Sequence, residues 1–220
     1  MFTGFSDATA DMFWDIRFNN DREWFHTQKA RFDQTVMQPV KALSGDLFDW
    51  FSAQHPQLHL NLHISRIYRD ARRLFGRGPL KDHIWFSFQN EVEGYAEAPC
   101  FWFEVGADGY SCGAGWWTPL AAAARLRRLI DNDPKRAEKI LKELDAQKEL
   151  TLTGPCYARP KGHADEAIGR LYNLRSVSVE SARPYDALSA SPELADWVKA
   201  HFASLVPLYQ LCEQAYTMAD

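Results

Sequence analysis

The middle of the chain alternates. Ile84, Phe86 and Phe88 are apolar at every second position with Trp85, Ser87 and Gln89 between them, the period of a strand with one face in a core. Cys100 to Val105 and Tyr110 to Trp117 read the same way and are separated by Gly106-Ala107-Asp108-Gly109, a hairpin turn by length and composition. Upstream, Leu58, Leu60, Leu62 and Ile64 share one side of a further strand, with His59, Asn61 and His63 on the other. Strands in succession with short connections fold most simply as antiparallel neighbours. Ser176 to Ser181, with Val177 and Val179 on one face, supplies a last strand.

Helical periodicity flanks this centre. Ser6 or Asp7 caps a helix over residues 8–18 that buries Met12, Phe13 and Ile16. Asn19-Asn20-Asp21 then forms a corner, and Asp21 caps a second helix carrying Trp24, Phe25 and Phe32. Pro39 suits the first turn of a third, with Val40, Leu43, Leu47, Trp50 and Phe51 on one stripe. Thr118 and Pro119 open a helix through Leu126, Leu129 and Ile130, and Asp133-Pro134 opens the next. Residues 150–163 read as an irregular basic loop, followed by a short helical piece over 164–172. Ser191-Pro192 starts a carboxy-terminal helix that Pro207 is predicted to kink or split. With 46% hydrophobic residues and no clear linker, residues 1–220 are expected to form a single domain. Its predicted class is α+β, a mainly antiparallel sheet from the middle of the chain with helices from both ends packed on it.

The connection between the first two strands is the most charged stretch. Arg66, Arg69, Arg72, Arg73, Arg77 and Lys81 stand against one acid, Asp70, a net of +5 in a chain of formal charge −4. Guanidinium forks bind phosphate and carboxylate bidentately, and Lys81 adds a point charge. If alternation continues without a bulge, Arg66, Tyr68 and Asp70 fall on the buried face and Arg69 on the other. A buried guanidinium keeps its charge and needs a carboxylate or an anion. The pattern points to a pocket for a small phosphate- or carboxylate-bearing ligand, with Trp116 and Trp117 as a flat wall after the glycines of GAGWW. In the competing reading these arginines are structural ties to acids such as Asp70, Glu104 or Asp21, and the protein is a non-catalytic interaction module using exposed Trp116 and Trp117.

Candidate acids or bases are His83, His163, Asp70 and Tyr68, with His83 first by its place beside Lys81. No GxSxG, HExxH, GxxxxGK[ST] or GxGxxG occurs, so whether a reaction is catalysed stays open, and no cofactor or metal is expected. His59 and His63 on a strand would stand about 13 Å apart, too far to share an ion. Cys100, Cys112, Cys156 and Cys212 show no CxxC spacing and read as reduced thiols of a cytoplasmic protein. A turn on Asp108-Gly109 would set Val105, not Cys100, opposite Cys112. The amino terminus lacks a basic segment followed by an apolar run, and no apolar run nears the roughly 18 residues of a membrane span. A charge of −4 and a pI near 6.0 argue against a nucleic-acid partner.

Five segments carry a further pattern: FTGF, FNNDREWF, RIYRDARRLFGRGPLKDH, GAGWWTP and RPKGH. Their order and spacing resemble the bacterial and fungal family known as domain of unknown function 2461, over nearly the whole chain. In that family the basic run continues with a lysine-containing loop and P-Y-K. Here Pro79 and Lys81 keep their places, Arg77 stands for a lysine and Leu80 for the tyrosine, and Arg73 and Leu74 depart from the usual aromatic and serine. The resemblance implies a shared fold and motif without an established activity. It groups Arg66, Arg69, Asp70, Arg72, Lys81, Trp117 and Lys161-Gly162 into one pattern.

Overall fold

The computed structural model describes residues 1–90, 98–117 and 120–218; the expected Thr118-Pro119 cap lies outside the described residues. Six strands form one sheet: β1 (Asn61–Ile64), β2 (His83–Gln89), β3 (Cys100–Gly106), β4 (Gly109–Trp116), β5 (Thr151–Thr153) and β6 (Val177–Arg183). Their order is β1-β2-β3-β4-β6-β5, and each neighbouring pair is antiparallel. The helices are α1 (Asp7–Asn19), α2 (Arg22–Phe32), α3 (Gln38–Gln54), α4 (Leu120–Asn132), α5 (Pro134–Ala146), the single turn α6 (Gly169–Tyr172) and α7 (Glu193–Thr217). The fold is α+β, with helices from both ends of the chain on a sheet from its middle.

The alternating apolar positions decide which face is covered. α3 packs on β1 and β2, and α7 on β3 and β4. Between them Phe51, Phe88, Phe101 and Phe202 meet with ring centroids 4.7–6.1 Å apart, and Tyr209 stacks on Phe101 at 4.7 Å. Trp116 is fully buried on this side against Tyr216, so it offers no external wall. α7 runs unbroken through Pro207, because its Leu205, Leu208, Leu211 and Cys212 remain buried on both sides of the proline. Among the described residues no helix is long and apolar enough to cross a membrane.

Several details depart from the sequence reading. α2 does not stop before α3 but passes into it through a π-helical turn, Asp33–Met37. Residues 150–163 contribute the edge strand β5, and the helical piece after them shortens to α6. The hairpin turns on Ala107-Asp108, pairing Gly106 with Gly109, so Cys112 faces Phe103 and Cys100 faces Gly115. All four cysteines are free. Gly109 sits at φ +144°, and a Cβ there would lie 2.1 Å from the Arg183 carbonyl oxygen.

The largest correction concerns Arg66, Tyr68 and Asp70, which face outward rather than into the core. Leu58 belongs to a 3-10 turn and His59 takes φ +48°, so the strand begins only at Asn61. Its alternation then breaks at Ser65, which is buried: its N–H donates to the Trp85 carbonyl (2.8 Å) and its hydroxyl accepts from the Trp85 N–H (3.1 Å). Ile67 follows it inward, which turns Arg66, Tyr68 and Asp70 toward solvent. A hydroxyl that satisfies a neighbouring backbone donor has thus overridden strand period.

Candidate functional site

Burying Ile84, Phe86 and Phe88 against α3 and α7 turns the intervening residues of β2 to the other face, and the register aligns them with their counterparts. Trp85 pairs with Glu104, and Glu104 with Ser111; Ser87 pairs with Trp102, Trp102 with Gly113, and Gly113 with Glu180. The result is a cup of about 590 Å³ on the sheet face opposite those helices, within the range of small-molecule sites. Its walls are the indoles of Trp85, Trp102 and Trp117, with Ser87, Gln89, Cys100 and Ser111 between them and Glu104 and Glu180 as its charges. A Cβ on Gly115 would stand 3.1 Å from the Trp117 ring, so the bare backbone of GAGWW lets that indole fold back over the strand. The indole Nε1 of Trp102 is buried and has no hydrogen-bond partner among the described residues.

A second cavity of about 470 Å³ shares Glu104 and Ser111 with the cup and runs on to the β3–β4 turn. Here the charges interlock. Arg17 of α1 donates to Asp82 through Nε (2.6 Å) and to both oxygens of Asp108 (2.9 and 2.6 Å), which holds its guanidinium strongly charged. Burial pushes the Asp82 carboxyl up, but hydrogen bonds from Arg17, from its own backbone and from His83 outweigh this and leave it below its ordinary value. His83 lines this second cavity and stands between two carboxylates, with Nδ1 3.3 Å from Asp82 and Nε2 3.8 Å from Glu104. Glu104 is itself pushed up, first by burial and further by Asp82 and Glu180, against the pull of His83 and Lys81. Lys81 is pushed down to about 8 by burial and by Arg69, with Glu104 opposing, and its Nζ stands 5.6 Å from the centre of the Trp85 ring. Burial thus raises the Glu104 carboxyl and lowers the Lys81 amine, which brings the proton affinities of the two groups closer together.

The residues singled out from the sequence divide. Arg69, Lys81 and His83 come together around Asp82 and Glu104: Arg69 donates from Nε to the Leu80 carbonyl (2.9 Å), and its Nη2 lies 3.8 Å from Asp82. Trp117, half exposed, belongs to the cup. Asp70 and Arg72 instead pair with each other: Asp70 caps the 3-10 turn Ala71–Arg73 by accepting the Arg72 N–H (3.0 Å) and holds its guanidinium at 2.7 Å. The Arg72 side chain is 89% exposed, and Arg66 is exposed. Arg66, Arg69 and Arg72 line neither of these two cavities. Lys161 lies over Tyr157, its Nζ 5.1 Å from the ring, and its N–H donates to Asn173.

What the basic stretch does hold is the amino-terminal corner. The side-chain amide of Asn20 donates to the Leu80 carbonyl (3.0 Å) and accepts the Leu80 N–H (2.8 Å). A Cβ on Gly78 would fall 2.2 Å from the same amide, which accounts for that glycine. Phe25 meets Tyr68 edge-on at 5.8 Å, and Arg22 lies over the Tyr68 ring at 5.7 Å. FNNDREWF and RIYRDARRLFGRGPLKDH are therefore two halves of one joint. Trp85, Trp102, Glu104, Glu180, Arg17 and Asp82 were not singled out as site residues. The signal for the strand residues was the opposite phase of the alternation that located the core, while the partners of Arg17 come from 65 and 91 residues away.

Fold and site together define an α+β protein with a cup on the sheet face away from α3 and α7. The chain belongs to the family described as conserved hypothetical protein (DUF2461), whose model matches residues 8–211. No curated protein matches it.

Proposed function

We propose that this protein binds a small organic molecule in the three-tryptophan cup, with Glu104, His83 and Lys81 beside it as groups able to move a proton. The observation that carries this reading is the cup itself: three indoles and two carboxylates gathered on one face of a sheet. The test is tryptophan emission and thermal shift across a panel of small amines, alcohols, amides and acids, with Trp102→Phe for comparison. A compound that shifts the parent and is weakened in the variant supports the reading; a panel that moves neither signal overturns it.

A phosphate- or carboxylate-bearing ligand, as the basic stretch invites, finds its best support at Lys81 and Arg69, which lie close enough for Arg69 to depress the lysine. Inorganic phosphate that raises the Lys81 titration would favour it. The ties of Arg69 to Leu80 and of Arg72 to Asp70 favour a structural role for the arginines, with an interaction module as the corresponding function. The free thiols support a cytoplasmic setting, and the charge of −4 speaks for a small molecule over nucleic acid.

A further inference from the structure

We infer that the cup selects a cationic head group, an alkylammonium of trimethylammonium size, held among Trp85, Trp102 and Trp117 with Glu104 and Glu180 as counter-charges. The inference rests on the reading that the cup is a ligand site and adds the sign of the ligand's charge. Among the described residues, the lining of the cup holds two carboxylates and no lysine, arginine or histidine. Indole faces carry negative potential and attract cations, and rings grouped around a cavity recognise quaternary ammonium groups. The protein already uses one of these rings in that way, since the Lys81 ammonium stands 5.6 Å from the Trp85 centroid without itself lining the cup. Within the described lining an anion would meet Glu104 and Glu180 with no base between them, since Lys81 and His83 approach Glu104 from outside it.

The polar remainder fixes what the head is attached to. Ser87, Gln89 and Ser111 line the same space. A short tail bearing a hydroxyl or carbonyl oxygen would use them, which makes the class an amino alcohol or a similar oxygen-bearing ammonium compound.

Three probes of one shape and different charge test this: choline, 3,3-dimethylbutan-1-ol, in which carbon replaces the nitrogen, and 3,3-dimethylbutanoate. Binding to the full-length protein is followed by tryptophan emission and thermal shift. Choline is expected to bind at least roughly ten-fold more tightly than the neutral isostere, with the carboxylate weakest. Glu180→Gln should weaken choline several-fold and leave the neutral probe unchanged, with a circular dichroism melt establishing that the variant is folded. If the alcohol binds as well as choline, the cup is a ligand site but charge selection fails. If the carboxylate binds best, the selection is reversed and Lys81 and Arg69 become the relevant groups. If none of the three perturbs tryptophan emission, the inference fails, and failure of the broader panel as well removes the ligand-site reading beneath it.

Discussion

Asn20 offers the sharpest test of how the two motifs are joined. Replacing it by alanine removes an acceptor from the Leu80 N–H and a donor from the Leu80 carbonyl. The carbonyl keeps a partner in Arg69 Nε at 2.9 Å, so its loss is one ordinary hydrogen bond. The N–H is left without an acceptor on a residue whose side chain is fully buried. An orphaned buried donor costs about 1–3 kcal/mol and a replaceable bond about 0.5–1.5 kcal/mol. The joint is only part-buried, so water recovers some of this, and about 2–3 kcal/mol in total is expected. For a chain of this size that lowers the melting temperature by about 5–10 °C. Calorimetry of Asn20→Ala, Arg69→Ala and the double variant would measure it. Because both side chains meet at the Leu80 carbonyl, the two losses should not add, with a coupling of at least about 0.5 kcal/mol. A melt of Asn20→Ala within about 2 °C of the parent would refute the clamp and return Asn20 to the surface.

Lys81 should gain acylation reactivity at lower pH than the other lysines, since its amine loses its proton near pH 8; peptide mapping of labelling rate against pH would show it, and a profile parallel to that of the exposed lysines would refute the lowered titration. Choline affinity should rise with pH through the titration of Glu104, whose carboxyl is raised by burial in the presence of Lys81, His83, Asp82 and Glu180; a flat profile would mean that Glu104 does not face the ligand. His163, pulled up from 6.5 by Glu166 and Asp131, contributes stability that is fully present below its unfolded value and is lost as pH rises through the folded one. Comparing melts of the parent with His163→Asn, a residue that tolerates the φ of +50° found there, should therefore show a gap at acid pH that closes on the alkaline side.

The strands were legible because burial on one face writes itself into every second residue, as in Ile84, Phe86 and Phe88. The same pattern also carried the cup, as its complement: Trp85 and Glu104 were visible as the residues between the apolar ones, yet a pattern that says which residues face away from a core does not say that they enclose a space. Ser65 was beyond local reading, since its effect depends on an amide twenty residues away. β5 was hidden by its length, three residues that strand only by pairing with β6. The basic stretch stood out by charge, but charge counts say nothing of partners. Its ties run to Asn20 and, at its end, to Asp82, which Arg17 anchors from α1.

The sheet tapers at both margins. Its inner strands are seven or eight residues long, while β1 has four and β5 has three. An exposed strand with unused amides and carbonyls is a template on which another chain can add itself, and its danger grows with length. Here neither described margin offers more than a few rungs. Association by strand addition is thereby discouraged, which leaves side-chain surfaces as the easier route for copies to assemble.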